Sequence, residues 1–159
     1  PRFFPPPLMH RMVAANLLGR KTGRGFYDYS AGKRAGYELP GIQARSGEGE
    51  TESERGERSG IILKRVLVPM ILEAVRMVES GVAVPGDIDK ASRLGFNFPS
   101  GPLELADSMG LDDVLDSAAA IYEDTGNKNY FPPPLLRRMV KDGSLGRKSG
   151  RGFYDYPQE

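Results

Sequence analysis

The sequence contains no cysteine, no tryptophan and a single histidine, His10. Without cysteine there is no disulfide framework, thiol nucleophile or thiolate metal site, which fits a reducing, cytoplasmic setting. With one histidine, any Ser-His-Asp, His-Glu or metal-His arrangement must use His10 or draw its imidazole from another chain. Net charge is nearly absent as well: 22 Lys and Arg against 21 Asp and Glu leave a formal +1. No field of that size draws a chain to nucleic acid or to an anionic membrane. Long apolar runs are lacking too, because Lys64, Arg65, Glu73 and Arg76 interrupt the most apolar stretch, far short of the roughly 18 residues a membrane span needs. The chain opens Pro1-Arg2-Phe3-Phe4 with neither a basic n-region nor an apolar h-region, so no signal peptide is read, and the start looks cut from something longer.

What is present is enough for one modest core, or one core and an appended arm: 159 residues with 39% hydrophobic content. The chain is organised by a repeat. Arg2 to Ser30 matches Asn129 to Pro157 without a gap, with about two-thirds of positions identical, including FPPPL, LGRK and GRGFYDY in one register. That is the mark of a duplicated unit of which only the tail stands at the N-terminus. In each copy a proline run sets an extended entry, and the last proline, Pro7 or Pro134, opens a short helix. Leu8, Met12 and Val13, and Leu135, Met139 and Val140, recur at helical spacing. A glycine-rich basic turn follows, and the closing Gly25 to Tyr29 and Gly152 to Tyr156 read as short extended arms anchored by aromatic burial.

Residues 1–30 are thus the tail of a first helical repeat, 31–59 a mobile linker, and 60–157 a complete helical domain. The linker reading rests on Gly, Ser, Glu and Arg in alternating charge, as in GEGETESERGER, with few apolar residues after Ile42. From Gly60, the residues Leu63, Val66, Leu67, Met70, Ile71, Ala74, Val75 and Val78 form a broad apolar stripe, the pattern of a core helix. Pro69 inside it predicts a kink or an irregular first turn, and Gly81 ends it. A second helix starts at Pro85-Gly86-Asp87 and runs to about Leu94. A short one spans Leu103 to Met109, and an amphipathic one follows from Leu111 to about Asp124. The fold class is all-α.

Candidate chemistry is sparse. Arg137 stands in the second copy where His10 stands in the first, which marks an exposed polar position. The turns Gly19 to Gly25 and Gly146 to Gly152 invite a phosphate-loop reading. They fail its test, since no glycine directly precedes the lysine and neither turn follows a strand and opens a helix, so a structural turn with at most a weak contact to a phosphate is the better reading. Asp87 with Asp89, and Asp112 with Asp113, lie in first turns of helices, where the dipole favours them. Glu104 and Asp107 share a face at i, i+3 and read as a solvated pair. No catalytic residue and no metal site emerges. The loop Phe96 to Leu103 carries two aromatics, two prolines and a glycine; it can line an acyl pocket or serve plain core packing.

Taken together, the Arg-x-x-x-Pro helix at Arg65 to Pro69, the Asp-Ile-Asp at Asp87, the Pro-x-Gly-Pro loop at Pro99 and the LGxKxGxGFYxY ending resemble the C-terminal domain of the 3-hydroxyacyl-CoA dehydrogenases. The resemblance covers Gly60 to Tyr156, with Arg2 to Tyr29 similar to the tail of a second such domain. It implies a parent that oxidises 3-hydroxyacyl-CoA to 3-oxoacyl-CoA in fatty-acid or related CoA metabolism. There a Rossmann domain binds NAD and supplies a His-Glu dyad, while the helical domain closes over the acyl group and builds a homodimer. It implies no cofactor in this chain, and as partners its own Rossmann domain or second helical domain. The substrate-pocket residues it suggests are Lys64, Phe98, Pro99, Gly101 and Pro102. Where the family places an asparagine in the first core helix this sequence has Lys64, a cation that makes this copy the non-catalytic member of a tandem pair. The resemblance predicts a scaffold and dimerisation module, inactive alone; a free-standing acyl-CoA-binding or protein-interaction module is the alternative.

Overall fold

Pro7 takes the first position of a helix, Pro7–Ala14 (α1), where its missing N–H costs no helical bond. The computed structural model describes residues 5–32, 49 and 51–157, and the chain divides into two units, Pro1–Glu50 and Thr51–Glu159. In the first unit, α1 buries Met12. The chain leaves the helix through Asn16 at φ 58° and Gly19 at φ 87° into a 3-10 turn, Arg20–Thr22. The GFYDY segment is not an extended arm. It curls back on the turn through isolated bridges, with the Gly19 amide donating to the Arg24 carbonyl at 2.7 Å and the Tyr29 amide to the Gly23 carbonyl at 2.8 Å.

The second unit opens with the longest helix, Glu52–Glu79 (α2, 28 residues). It begins within the stretch expected to be linker. Thr51 and Glu54 form a capping box, with the Thr51 amide donating to Glu54 Oε2 at 2.8 Å and the Glu54 amide to Thr51 Oγ1 at 3.3 Å. This reciprocal cap satisfies two orphan donors and lets a charged, exposed segment extend the helix eight residues ahead of Gly60. The remainder of the expected linker, 33–48 and 50, lies outside the described residues. α2 continues through Pro69 as one helix.

Its C-terminal half turns Val68, Ile71, Leu72, Ala74 and Val75 inward at helical spacing. These pack with Ile88 of helix Pro85–Phe96 (α3) and with Leu103 and Ala106 of Pro102–Met109 (α4). Leu111, Val114 and Ala118 of Leu111–Thr125 (α5) and Leu136 of Pro134–Lys141 (α6) complete one core. α3 outruns its expected end at Gly95, because Asn97 takes the left-handed position after it, φ 55°. Gly110, at φ 96°, makes the single-residue corner between α4 and α5. The all-α class holds: among the described residues β structure is limited to isolated bridges. No described helix is long and apolar enough to cross a membrane.

The two tails share one local fold. Gly146 and Gly19 have φ, ψ of 87°, −146° and 87°, −144°. The Gly146 amide donates to the Arg151 carbonyl at 2.8 Å, and the Tyr156 amide to the Gly150 carbonyl at 2.8 Å, as in the first unit. Ser149 and Thr22 each accept a bond from the amide of the leucine four residues earlier, Leu145 and Leu18. Arg147 lies 5.0 Å above the Tyr156 ring and Arg20 5.5 Å from that of Tyr29.

Candidate functional site

Two aspartates hold the second unit closed. Asp89 on α3 and Asp107 on α4 are each 1% exposed, so neither is the solvated or helix-end residue the sequence suggests. Buried carboxylates are tolerated only where several donors meet them. Asp89 reaches the N-terminus of α4, where Oδ1 accepts the Leu103 amide and Oδ2 the Glu104 amide, both at 2.9 Å. It thereby caps a helix that is not its own, two orphan N–H groups satisfied by one anion. Its Oδ2 also accepts the Tyr154 hydroxyl at 2.8 Å.

Asp107 does the same for the C-terminal tail. Its oxygens accept the Phe153 and Tyr154 amides and the Tyr156 hydroxyl, each at 3.0 Å. Tyr154 therefore joins the two carboxylates, its amide on Asp107 and its hydroxyl on Asp89. Burial pushes the Asp107 carboxyl above the usual aspartate range; its three donors oppose the shift and the neighbouring Asp89 charge adds to it. The hydroxyl of Tyr156 is pushed up to about 12 by burial and by the Asp107 charge. That of Tyr154 is pushed up further, by burial and by Asp89.

The closeness of these groups explains the glycines. A Cβ at Gly101 would lie 2.1 Å from Asp89 Cβ, one at Gly152 2.1 Å from Asp107 Oδ1, and one at Gly146 2.3 Å from the Asp107 carbonyl. At the rim, Glu104 accepts the Gly101 amide at 3.2 Å and Arg93 at 2.7 Å, which together hold its carboxyl below the ordinary glutamate range. Lys148 donates to Asp112 at 2.6 Å and reaches Asp113 at 3.4 Å, tying the tail's basic turn to the first turn of α5.

The suggested pocket residues separate into two groups. Gly101 and Pro102 are buried at the start of α4 and belong to the Asp89 cap. Phe98 and Pro99 are exposed on the loop before it, with the Phe98 and Phe96 rings 5.5 Å apart. Lys64 is exposed on the N-terminal half of α2. Around it Ile61, Ile62, Leu63 and Val66 are 56–62% exposed, and Leu94 and Phe96 at the end of α3 are more so. These are among the most exposed large apolar side chains of the second unit. Sequence reasoning missed both aspartates. For Asp107 a signal was present: it falls one turn after Leu103, on the stripe that α4 buries.

Residues 60–156 match the family model described as 3-hydroxyacyl-CoA dehydrogenase, C-terminal domain. The chain belongs to this family. The dehydrogenase match takes in α3 to α6, both aspartates and the closing tail. The probable 3-hydroxybutyryl-CoA dehydrogenase of Bacillus subtilis (strain 168) is 49% identical over 111 residues, 70% of this chain and 39% of that protein. The 3-hydroxybutyryl-CoA dehydrogenase of Mycobacterium tuberculosis (strain ATCC 25618 / H37Rv) is 50% identical over 100 residues, 63% of this chain and 35% of that protein. A crystal structure of 3-hydroxybutyryl-CoA dehydrogenase from Escherichia coli K12 superposes with a TM-score of 0.59 and 39% identity, covering 63% of this chain and 21% of that one. The chain thus spans 39% or less of the length of these dehydrogenases.

Proposed function

We infer that this chain is the helical, substrate-side portion of an NAD-dependent 3-hydroxyacyl-CoA dehydrogenase, one that oxidises a short 3-hydroxyacyl-CoA to its 3-oxo form. The observation that carries this reading is the match over 60–156 to the C-terminal domain of that family. The names of the B. subtilis and M. tuberculosis relatives, both 3-hydroxybutyryl-CoA dehydrogenases, favour a short acyl chain. The exposed apolar residues of the N-terminal half of α2, and those at the end of α3, are side chains for which burial against a partner is favourable cover. A nucleotide-binding domain or a second helical subunit in a homodimer supplies it, with Phe98 and Pro99 at its edge towards the acyl group.

The chemistry lies outside this chain. Dinucleotides are held where a strand of a parallel sheet turns through glycines into a helix. The described residues hold isolated bridges and no such unit, and the glycine turns lead into 3-10 turns. NAD does not fit these residues, and no step passes through it here. The sole imidazole, His10, stands on the exposed side of α1, in the first unit. This chain contributes instead a rigid helical wall, locked by Asp89 and Asp107 and presenting Lys64 at a position suited to meet negative charge. The absence of cysteine suits a cytoplasmic setting.

Purified chain incubated with 3-hydroxybutyryl-CoA and NAD is expected to form no NADH. Sustained turnover that survives removal of host enzymes overturns the division of labour. Calorimetry with the same acyl-CoA distinguishes the alternative: saturable heat from the chain alone favours a free-standing acyl-CoA-binding module.

A further inference from the structure

The loop between α3 and α4 is held at both ends by α3. Asn97 takes the left-handed position that ends the helix. At the other end, Gly101 lies so close to Asp89 that an added Cβ would fall 2.1 Å from the Asp89 Cβ. Glu104 strengthens that end by accepting the Gly101 amide at 3.2 Å and Arg93 of α3 at 2.7 Å. Between the two ends Phe98 and Pro99 stand exposed, with the Phe98 ring 5.5 Å from that of Phe96. A further anchor comes from the closing tail. Asp89 accepts the Leu103 and Glu104 amides of α4 at 2.9 Å and the Tyr154 hydroxyl at 2.8 Å, and the Glu104 amide and the hydroxyl share Oδ2.

We propose that Tyr154 is a positioning residue for the loop 97–101: its hydroxyl keeps the Asp89 carboxylate against the first turn of α4, and the seated tail thereby fixes where Phe98 and Pro99 stand. Donors and space carry the argument. At 1% exposure Asp89 meets donors of the protein rather than bulk water. Without the hydroxyl, Oδ2 keeps only the Glu104 amide, and the carboxylate either turns towards water or draws it in. Both motions shift it off the Leu103 and Glu104 amides, and the bare backbone of Gly101, packed against the side chain, has to follow. Tyr156 supplies an internal contrast. It lies two residues on in the same tail, and its hydroxyl meets Asp107 at 3.0 Å. Its loss loosens the tail and leaves the donors of Asp89 in place. The coupling is a property of this helical domain; that the loop faces an acyl group rests on the dehydrogenase reading, under which Tyr154 shapes the substrate-side wall from a distance.

The test compares Tyr154→Phe with Tyr156→Phe in the whole chain by hydrogen exchange. Both substitutions should speed exchange at Phe153, since both loosen the tail. Tyr154→Phe is expected to speed the Leu103 and Glu104 amides by about tenfold relative to Val75 in the core of α2, the effect of one hydrogen bond to a charged acceptor. Tyr156→Phe should change the same two amides, on the same scale, by less than about twofold. A second readout comes from the loop itself. The sequence has no tryptophan, so Phe98→Trp places a single indole there. In that background Tyr154→Phe should leave the indole more accessible to acrylamide than Tyr156→Phe does. Unchanged exchange at Leu103 and Glu104, equal acceleration by the two substitutions, or a loosened cap with an unaltered indole each overturns the proposal. Turnover and calorimetry with acyl-CoA test the dehydrogenase reading separately: its failure leaves the coupling standing, and failure of the coupling leaves that reading untouched.

Discussion

The Tyr130 hydroxyl donates to the Arg65 carbonyl at 2.9 Å, and Arg65 is the residue whose carbonyl Pro69, four positions later, leaves without its helical partner. Proline inside a helix withholds one N–H and usually bends or breaks it. Here a phenol from the 3-10 turn Lys128–Tyr130 supplies the missing donor, and α2 passes through Pro69 into the core. Arg76 ties the same loop from the other side, donating to the carbonyls of Asn129 and Phe131 at 3.1 and 2.8 Å.

Tyr130→Phe is expected to destabilise the second unit by about 0.5–1.5 kcal/mol, the net value of one hydrogen bond. In a Pro69→Ala background the helix recovers its own donor, so the same change should cost less. A double-mutant cycle by chemical denaturation reads the coupling; equal costs in both backgrounds would show that the hydroxyl does not serve this carbonyl.

Asp107→Asn keeps one acceptor for the Phe153 amide and turns an NH2 towards donors. The loss should be about 2–4 kcal/mol, since buried donors are left unmet. Hydrogen exchange at Phe153 and Tyr154 should accelerate more than at Val68 or Ile71, because the tail opens before the core does.

The pH dependence separates the two kinds of acid. Glu104 has a folded pKa below its unfolded value, so its contribution is present above pH of about 4.3 and is lost as pH falls through the lowered folded value. Asp107 has a raised folded pKa, so its contribution is full below pH of about 3.9 and declines as pH climbs through the raised value. Glu104→Gln should therefore flatten the acid limb of the stability curve. Asp107→Asn should remove a component that declines with rising pH just above that limb; a curve unchanged in shape by either substitution would contradict the assignment.

Two glycines predict different penalties for one methyl group. Gly126 sits at φ 62° with nothing within 4 Å of an added Cβ, so Gly126→Ala should cost only its backbone strain, about 1 kcal/mol. Gly152→Ala places the methyl against the Asp107 carboxylate and should cost about 3 kcal/mol or more, at the upper end for overpacking. Thermal unfolding of the two variants ranks them.

Much of this was legible without coordinates. The apolar stripe, the punctuation at Gly81, Pro85, Gly110 and Pro134, and the repeated ending are local signals, and each marks its element, although of the stripe read from Leu63 to Val78 the first two members, Leu63 and Val66, are exposed. The start of α2 was not, because composition read the 31–59 stretch as a spacer while the Thr51 to Glu54 cap is a four-residue signal within it. The arms were misread because alternation of aromatic and polar residues is shared by strands and by curled turns, and only the glycine torsions decide between them. Asp89 and Asp107 were hidden for a more basic reason. An acid in a first turn or on a helix face is ordinarily wet, and the donors that meet these two come from other elements. For Asp89 they lie 14 and 15 positions away at Leu103 and Glu104 and 65 away at the Tyr154 hydroxyl; for Asp107 they lie 46 or more away at Phe153, Tyr154 and Tyr156. The register with Leu103 turns Asp107 inward, but the long-range pairing that satisfies both carboxylates leaves no period in a sequence.

A small helical domain without cysteine still has to fasten its chain end, and this one does so with a pair of noncovalent cross-links. Tyr154 bridges α3 and α4 as a covalent staple might, but through an anion that any reductant or oxidant ignores. Such a fastening is cooperative and reversible. Water admitted to one carboxylate weakens the bridge to the other, so the tail is built to detach as a unit rather than to fray.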